Sequence, residues 1–148
     1  MEKQTVEQHY RVLMVIWFVL LSSQMMFFLI LYLSKPEVYS FDFSEPISGG
    51  ENMILVTAFA ILAVTNLVIS FVMKNRCFEQ AIEKQDAQYV RMGVILACAF
   101  CESISLMGLV LALIFSYQYF FLWFALGIIG IILHFPKRQP LIAADSKK

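Results

Sequence analysis

Charge is what this chain has least of. Only 15% of its 148 residues are Asp, Glu, Lys or Arg, against 60% hydrophobic residues and a mean hydropathy of +0.74. Soluble domains carry about 25% charged residues, so a soluble domain of ordinary composition is excluded. Positive and negative residues balance at 11 each with no basic block, which leaves no footprint for nucleic acid. The 2 histidines and 3 cysteines are too few for a metal framework. Cys98 and Cys101 have CxxC spacing, but inside an apolar run they read as small apolar residues one turn apart, and Cys77 stands alone. His9 precedes the first apolar segment and His134 closes the last, so interfacial placement accounts for both. No Ser-His-Asp set, HExxH, P-loop or dinucleotide fingerprint is present, so neither enzymatic activity nor a cofactor is expected.

What is present is apolar length. Residues 12–33, 53–73, 92–115 and 117–135 form four apolar segments. An α-helix needs about 20 residues to cross a hydrocarbon core about 30 Å thick, and a single helix over 92–135 would run to roughly twice that thickness. A turn at 116–118 is therefore expected. The fold class is all-α: a polytopic membrane protein with four transmembrane helices in a single integral domain. The first segment is too long for a signal-peptide core and is followed by no small-x-small cleavage site, so it is retained as a helix.

Charge placement orients the bundle. Every Lys and Arg except Lys35 lies before the first segment, in 74–91 or in 136–148. The positive-inside rule then puts the N and C termini and the 74–91 loop in the cytoplasm. The 35–51 loop, with Glu37, Asp42, Glu45 and Glu51, lies outside, and its Pro46, Gly49 and Gly50 read as a solvated linker. Tyr117, Tyr119 and Trp123 fit an outer interfacial turn, whereas Trp17 is deeper. The charged stretch after Met73 continues as helix beyond the membrane, and the basic tail 136–148 reads as disordered.

One ionisable residue breaks the apolar pattern. Glu102 lies eleven residues after Arg91, about 16 Å along a helix, which places it near the bilayer midplane. A charge there costs ~2.5–3.5 kcal/mol on insertion scales, so the carboxyl is expected to be protonated, hydrogen-bonded or turned to a polar cavity. Gly93, Ala97, Cys101, Gly108 and Ala112 form a stripe of small side chains on the same helix, with Ser105 at its margin. Such a stripe lets another helix approach closely. Ser22, Ser23 and Gln24 on the first helix and Thr65 and Asn66 on the second share Glu102's depth. Gln24, Asn66 and Thr65 are the expected polar partners. Two readings follow: Glu102 binds and releases a proton or cation, or it is a neutral interhelical hydrogen-bond group in a membrane scaffold or assembly protein.

The segment RMGVILACAFCESISLMGLVLAL, from Arg91 to Leu113, resembles the carboxylate-bearing helix of the proteolipid (c) subunit of rotary ATP synthases. The matching positions are Arg91, Ala97 and Ala99, Glu102, and the run from Gly108 to Leu113. The resemblance implies that Glu102 carries a proton or sodium ion with Ser105 beside it. The chain departs from that family in having no glycine in the preceding helix and two further helices, which argues against a standard rotor ring. The whole pattern is similar to small four-helix bacterial membrane proteins of uncharacterised function. That likeness implies the bacterial inner membrane, with the lipid bilayer, further copies of the chain or another membrane protein as partners.

Overall fold

The structure is a computed structural model that describes residues 2–40, 44 and 46–145. Asp42, Glu45, Lys147 and Lys148 lie outside the described residues, as does the side chain of Lys3. Five α-helices follow one another: α1 (Glu2–Ser34), α2 (Met53–Lys84), α3 (Ala87–Phe115), α4 (Phe120–Leu133) and α5 (Arg138–Asp145). Short 3-10 turns cover Pro36–Tyr39 and Gly50–Asn52, and there is no strand among the described residues.

Three helices are long and apolar enough to cross a membrane, and a fourth span results if α4 and α5, bent by 41° at 134–137, count as one. On its own α4 has 14 residues, about 21 Å, and falls short of the core. The exterior is that of a membrane protein. Ile54 (88% exposed), Leu33 (72%) and Met25 (68%) face outward, where water would penalise them and acyl chains would not.

α3 is the central element. Half of its most apolar window is buried, against 11% for α1 and 17% for α2, and it packs on α1, α2 and α4. The small-residue stripe explains how the backbones come together. At Gly93 a β-carbon would lie 2.7 Å from Cys77 Cβ of α2, and at Gly108 it would lie 2.5 Å from Trp123 Cβ of α4. Ala97, Cys101 and Ala112 are fully buried along the same side.

The two ends of the bundle are closed differently. At the tail end the loop expected over 74–91 contracts to Gln85 and Asp86, because α2 stays helical to Lys84 and α3 starts at Ala87. Gln85 takes a left-handed conformation (φ 51°), and the Asp86 carboxylate caps α3 by accepting the Gln88 N–H at 2.8 Å. The tail, expected to be disordered, instead forms α5 over Arg138–Asp145. Leu141 and Ala144, three residues apart, are buried against the core that includes Leu13, Ala81 and Val90. Burial of that apolar face holds the segment as a helix between charged ends.

At the other, loop end, Ser116 ends α3 in a left-handed conformation (φ 52°), and Tyr117 N–H reaches back to Leu111 O at 3.2 Å. Tyr117 donates its hydroxyl hydrogen to Ile47 O at 2.6 Å, and Tyr39 donates to Phe28 O at 3.0 Å. Tyr39 also meets Tyr32 and Phe120 edge-on at 5.8 and 5.4 Å. Burial pushes its phenol above the usual tyrosine range.

Candidate functional site

Residues 101–105 of α3 turn through successive 100° steps, and each polar side chain meets a different helix. Glu102 turns to α1: its Oε1 lies 2.5 Å from Ser23 Oγ. Ser103 turns to α2, accepting from Asn66 Nδ2 at 2.8 Å while it donates to Phe100 O at 2.7 Å. Ser105 is fully buried toward α4, and a β-carbon at Gly127 would run into its hydroxyl.

The expected partners therefore separate. Asn66 bonds Ser103, not Glu102. Thr65 is exposed and turns its hydroxyl to Ile61 O at 2.8 Å, the i−4 bond open to any helical threonine. Gln24 is buried, but neither amide atom has a hydrogen-bond partner among the described residues, and the Ser105 hydroxyl has none either. Ser23, next to Gln24 and of the same depth, supplies the bond expected of Gln24. One residue along a helix rotates a side chain by about 100°, a difference that depth alone does not resolve.

The Ser23 geometry carries chemical information. Ser23 Oγ is 2.7 Å from Leu20 O as well as 2.5 Å from Glu102 Oε1. A serine hydroxyl has one hydrogen to give. When it goes to Leu20 O, the contact with Glu102 is a hydrogen bond only if the carboxyl is protonated and donates. When Glu102 is ionised, the hydroxyl rotates and donates to it. The pair has a hydrogen-bonded arrangement for each protonation state. Glu102 is half-buried at the α1–α3 boundary, with no cation bonded to it among the described residues.

A second polar cluster lies nearer the tail end, between α2, α3 and the end of α4. His134, expected at an interface, is instead fully buried. Its Nε2 lies 2.9 Å from Ser70 Oγ, its Nδ1 lies 3.4 Å from Lys74 Nζ, and its ring tilts over Phe71 at 4.5 Å. The Lys74 ammonium can only donate, so its contact requires a lone pair on His134 Nδ1 and a hydrogen on Nε2. Ser70 gives its hydrogen to Leu67 O at 2.6 Å, so its oxygen accepts from His134 Nε2–H and from the Cys101 thiol at 3.8 Å. His134 Nδ1 is then left with a lone pair, which accepts from the Lys74 ammonium. The spacing of Ser70 and Lys74, one turn apart on α2, was visible in the sequence. The third member lies 60 residues or more away, and nothing local pointed to it.

This cluster is not a nucleophilic triad. A triad orients its imidazole with a carboxylate, which stabilises the imidazolium that forms; here a cation takes that place. Cys98, Cys101 and His134 form no metal-binding group of three among the described residues. No family model, curated protein or solved structure matches the chain.

Proposed function

We propose that the chain is an integral membrane protein of four spans, both termini cytoplasmic, in which Glu102 binds and releases a proton within the bilayer. The fourth span is α4 with its flanking residues, 117–135, and the placement of Lys and Arg sets the orientation. The single observation that carries the reading is the Ser23 hydroxyl shared between Leu20 O and Glu102 Oε1. It lets the carboxyl change protonation state without leaving a polar atom stranded in hydrocarbon, where an unmet group costs several kcal/mol. The half-exposed flank of Glu102 is the side from which a proton, or a neighbouring subunit in an oligomer, reaches it. The likeness of Arg91–Leu113 to the proteolipid helix supports a c-subunit-like handling of protons or cations, and a bacterial inner membrane suits it. The protein has no enzymatic role in this account.

A second reading rests on the same bond. If Glu102 stays protonated at all times, its bond to Ser23 is a neutral clamp between α1 and α3 and the protein is a scaffold. Such bonds average about 0.6 kcal/mol in membranes. The test is labelling of Glu102 by a hydrophobic carbodiimide in native membranes across pH and with sodium, with Glu102→Gln as the blank. Labelling that falls as pH rises shows a titrating site, and protection by sodium shows that a cation occupies it. Labelling independent of pH and sodium, or none at any pH in correctly inserted protein, assigns Glu102 to the clamp.

A further inference from the structure

We propose that the tail end of the bundle holds the phosphate of an anionic phospholipid between Lys74 and Lys137, at the start of α5. The inference needs the chain in a bilayer but not a titrating Glu102.

Lys74 is the first charged residue after the apolar run of α2, and Lys137 is the first after that of α4. Both therefore stand at the edge of the hydrocarbon. Lys74 is held in place without being neutralised. Its ammonium donates to the uncharged imidazole of His134 and lies 5.7 Å from the centre of the Phe78 ring. Lys137 follows His134, the partner of Lys74, by three residues at the bend between α4 and α5. Neither is paired with a carboxylate among the described residues, where the ion pairs are Glu7–Arg11 and Glu7–Arg138.

α5 adds to the same positive potential. Helices favour acidic residues at the first turn and basic ones at the last. α5 has the reverse, with Arg138 first, Asp145 last and no acidic residue in its opening turn. The Glu7 carboxylate, 3.5 Å from Arg138, offsets part of that mismatch, and a further anion would offset the rest. Two lysines without a carboxylate partner among the described residues and the positive end of a helix lie at one end of the bundle, which fits a group carrying two or more anionic oxygens.

The surroundings favour a lipid over a soluble anion. Just inside the lysines, toward the bundle centre, Phe71, Ile132, Leu133 and Phe135 are 38%, 50%, 57% and 41% exposed, an apolar surface on which acyl chains can lie. A leaflet rich in anionic lipid supplies about 1 kcal/mol per basic residue near the surface.

The experiment is native mass spectrometry of the full-length protein in an uncharged detergent, titrated with phosphatidylglycerol and with phosphatidylcholine of the same chains. Phosphatidylglycerol is expected to be retained about ten-fold better, and Lys137→Gln, an exposed substitution that leaves the fold intact, to weaken it roughly five-fold. Lys84→Gln, at a cation that instead bonds Tyr89, is expected to leave retention unchanged. Equal retention of the two lipids, or wild-type retention in Lys137→Gln, overturns the proposal. Displacement of the lipid by equimolar inorganic phosphate also overturns it, assigning the lysines to a soluble anion.

Discussion

Gly127→Ala tests how tightly α3 and α4 are joined beside the candidate site. The added methyl would sit 2.9 Å from Cys101 O and 3.3 Å from Ser105 Cβ, and would run into the Ser105 hydroxyl. The carbonyl belongs to the backbone of the central helix and has no freedom to yield, so α4 must move. Overpacking of this kind costs ~1–3 kcal/mol, and 2 kcal/mol is about thirty-fold in the folding equilibrium. Gly130→Ala provides the scale. Its methyl meets Cys101 Sγ at 2.6 Å, which rotation of the side chain can move, and Cys101 Cβ at 3.0 Å, which it cannot, but no carbonyl as close as at Gly127, so the cost should be smaller. Adding Ser105→Gly to Gly127→Ala removes the side-chain clash but leaves the carbonyl contact, and should restore only part of the loss. The assay is reversible unfolding in mixed micelles, read by far-UV circular dichroism. Wild-type stability in Gly127→Ala, or full restoration by Ser105→Gly, would refute the packing argument.

Other outcomes follow from named contacts. Ser105→Ala removes a buried hydroxyl without a partner and should be neutral or stabilising by about 1 kcal/mol in the same assay; a loss of 2 kcal/mol would mean that the hydroxyl is bonded. His134→Ala deletes the link from Ser70 to Lys74 and leaves a cavity, so it should cost about 2–4 kcal/mol, whereas Lys84→Ala at the exposed surface should cost less than 0.5. Tyr39→Phe should lose about 1 kcal/mol with its bond to Phe28 O. Because burial raises the folded pKa of Tyr39, its contribution is complete below the unfolded tyrosine value near 10 and is lost as pH rises above it. A stability titration of wild type against Tyr39→Phe should therefore diverge only at alkaline pH in slope, and equal slopes there would contradict the assignment.

Much of the architecture was legible because hydrophobic length is a direct signal. The starts of α2 and the core of α3 followed from apolar runs bounded by charge, and the break near Ser116 followed from the thickness of a bilayer. Element ends were less legible. The charged residues 74–84 continue α2 as expected, since charged residues are good helix formers, but the sharp turn at Gln85 and Asp86 that lets α3 begin at Ala87 was not marked. α5 was hidden because its apolar run, 141–144, is only four residues long in a basic tail, and only the neighbouring helices reveal that Leu141 and Ala144 pack. Glu102 announced itself by its cost in hydrocarbon. Its partner did not, since Ser22, Ser23 and Gln24 share a depth and differ only in azimuth. His134 was the largest omission: its position at a segment end matched an interfacial residue, while its burial arises from Ser70 and Lys74 on α2.

The most direct test of the account is the infrared carbonyl stretch of the protonated Glu102 carboxyl, followed by difference spectroscopy across pH in reconstituted membranes. The account predicts a protonated-carboxyl band at acid pH that disappears as pH rises, that is absent in Glu102→Gln, and that shifts in frequency in Ser23→Ala. A band that persists unchanged at every pH, or that Ser23→Ala leaves untouched, would contradict it.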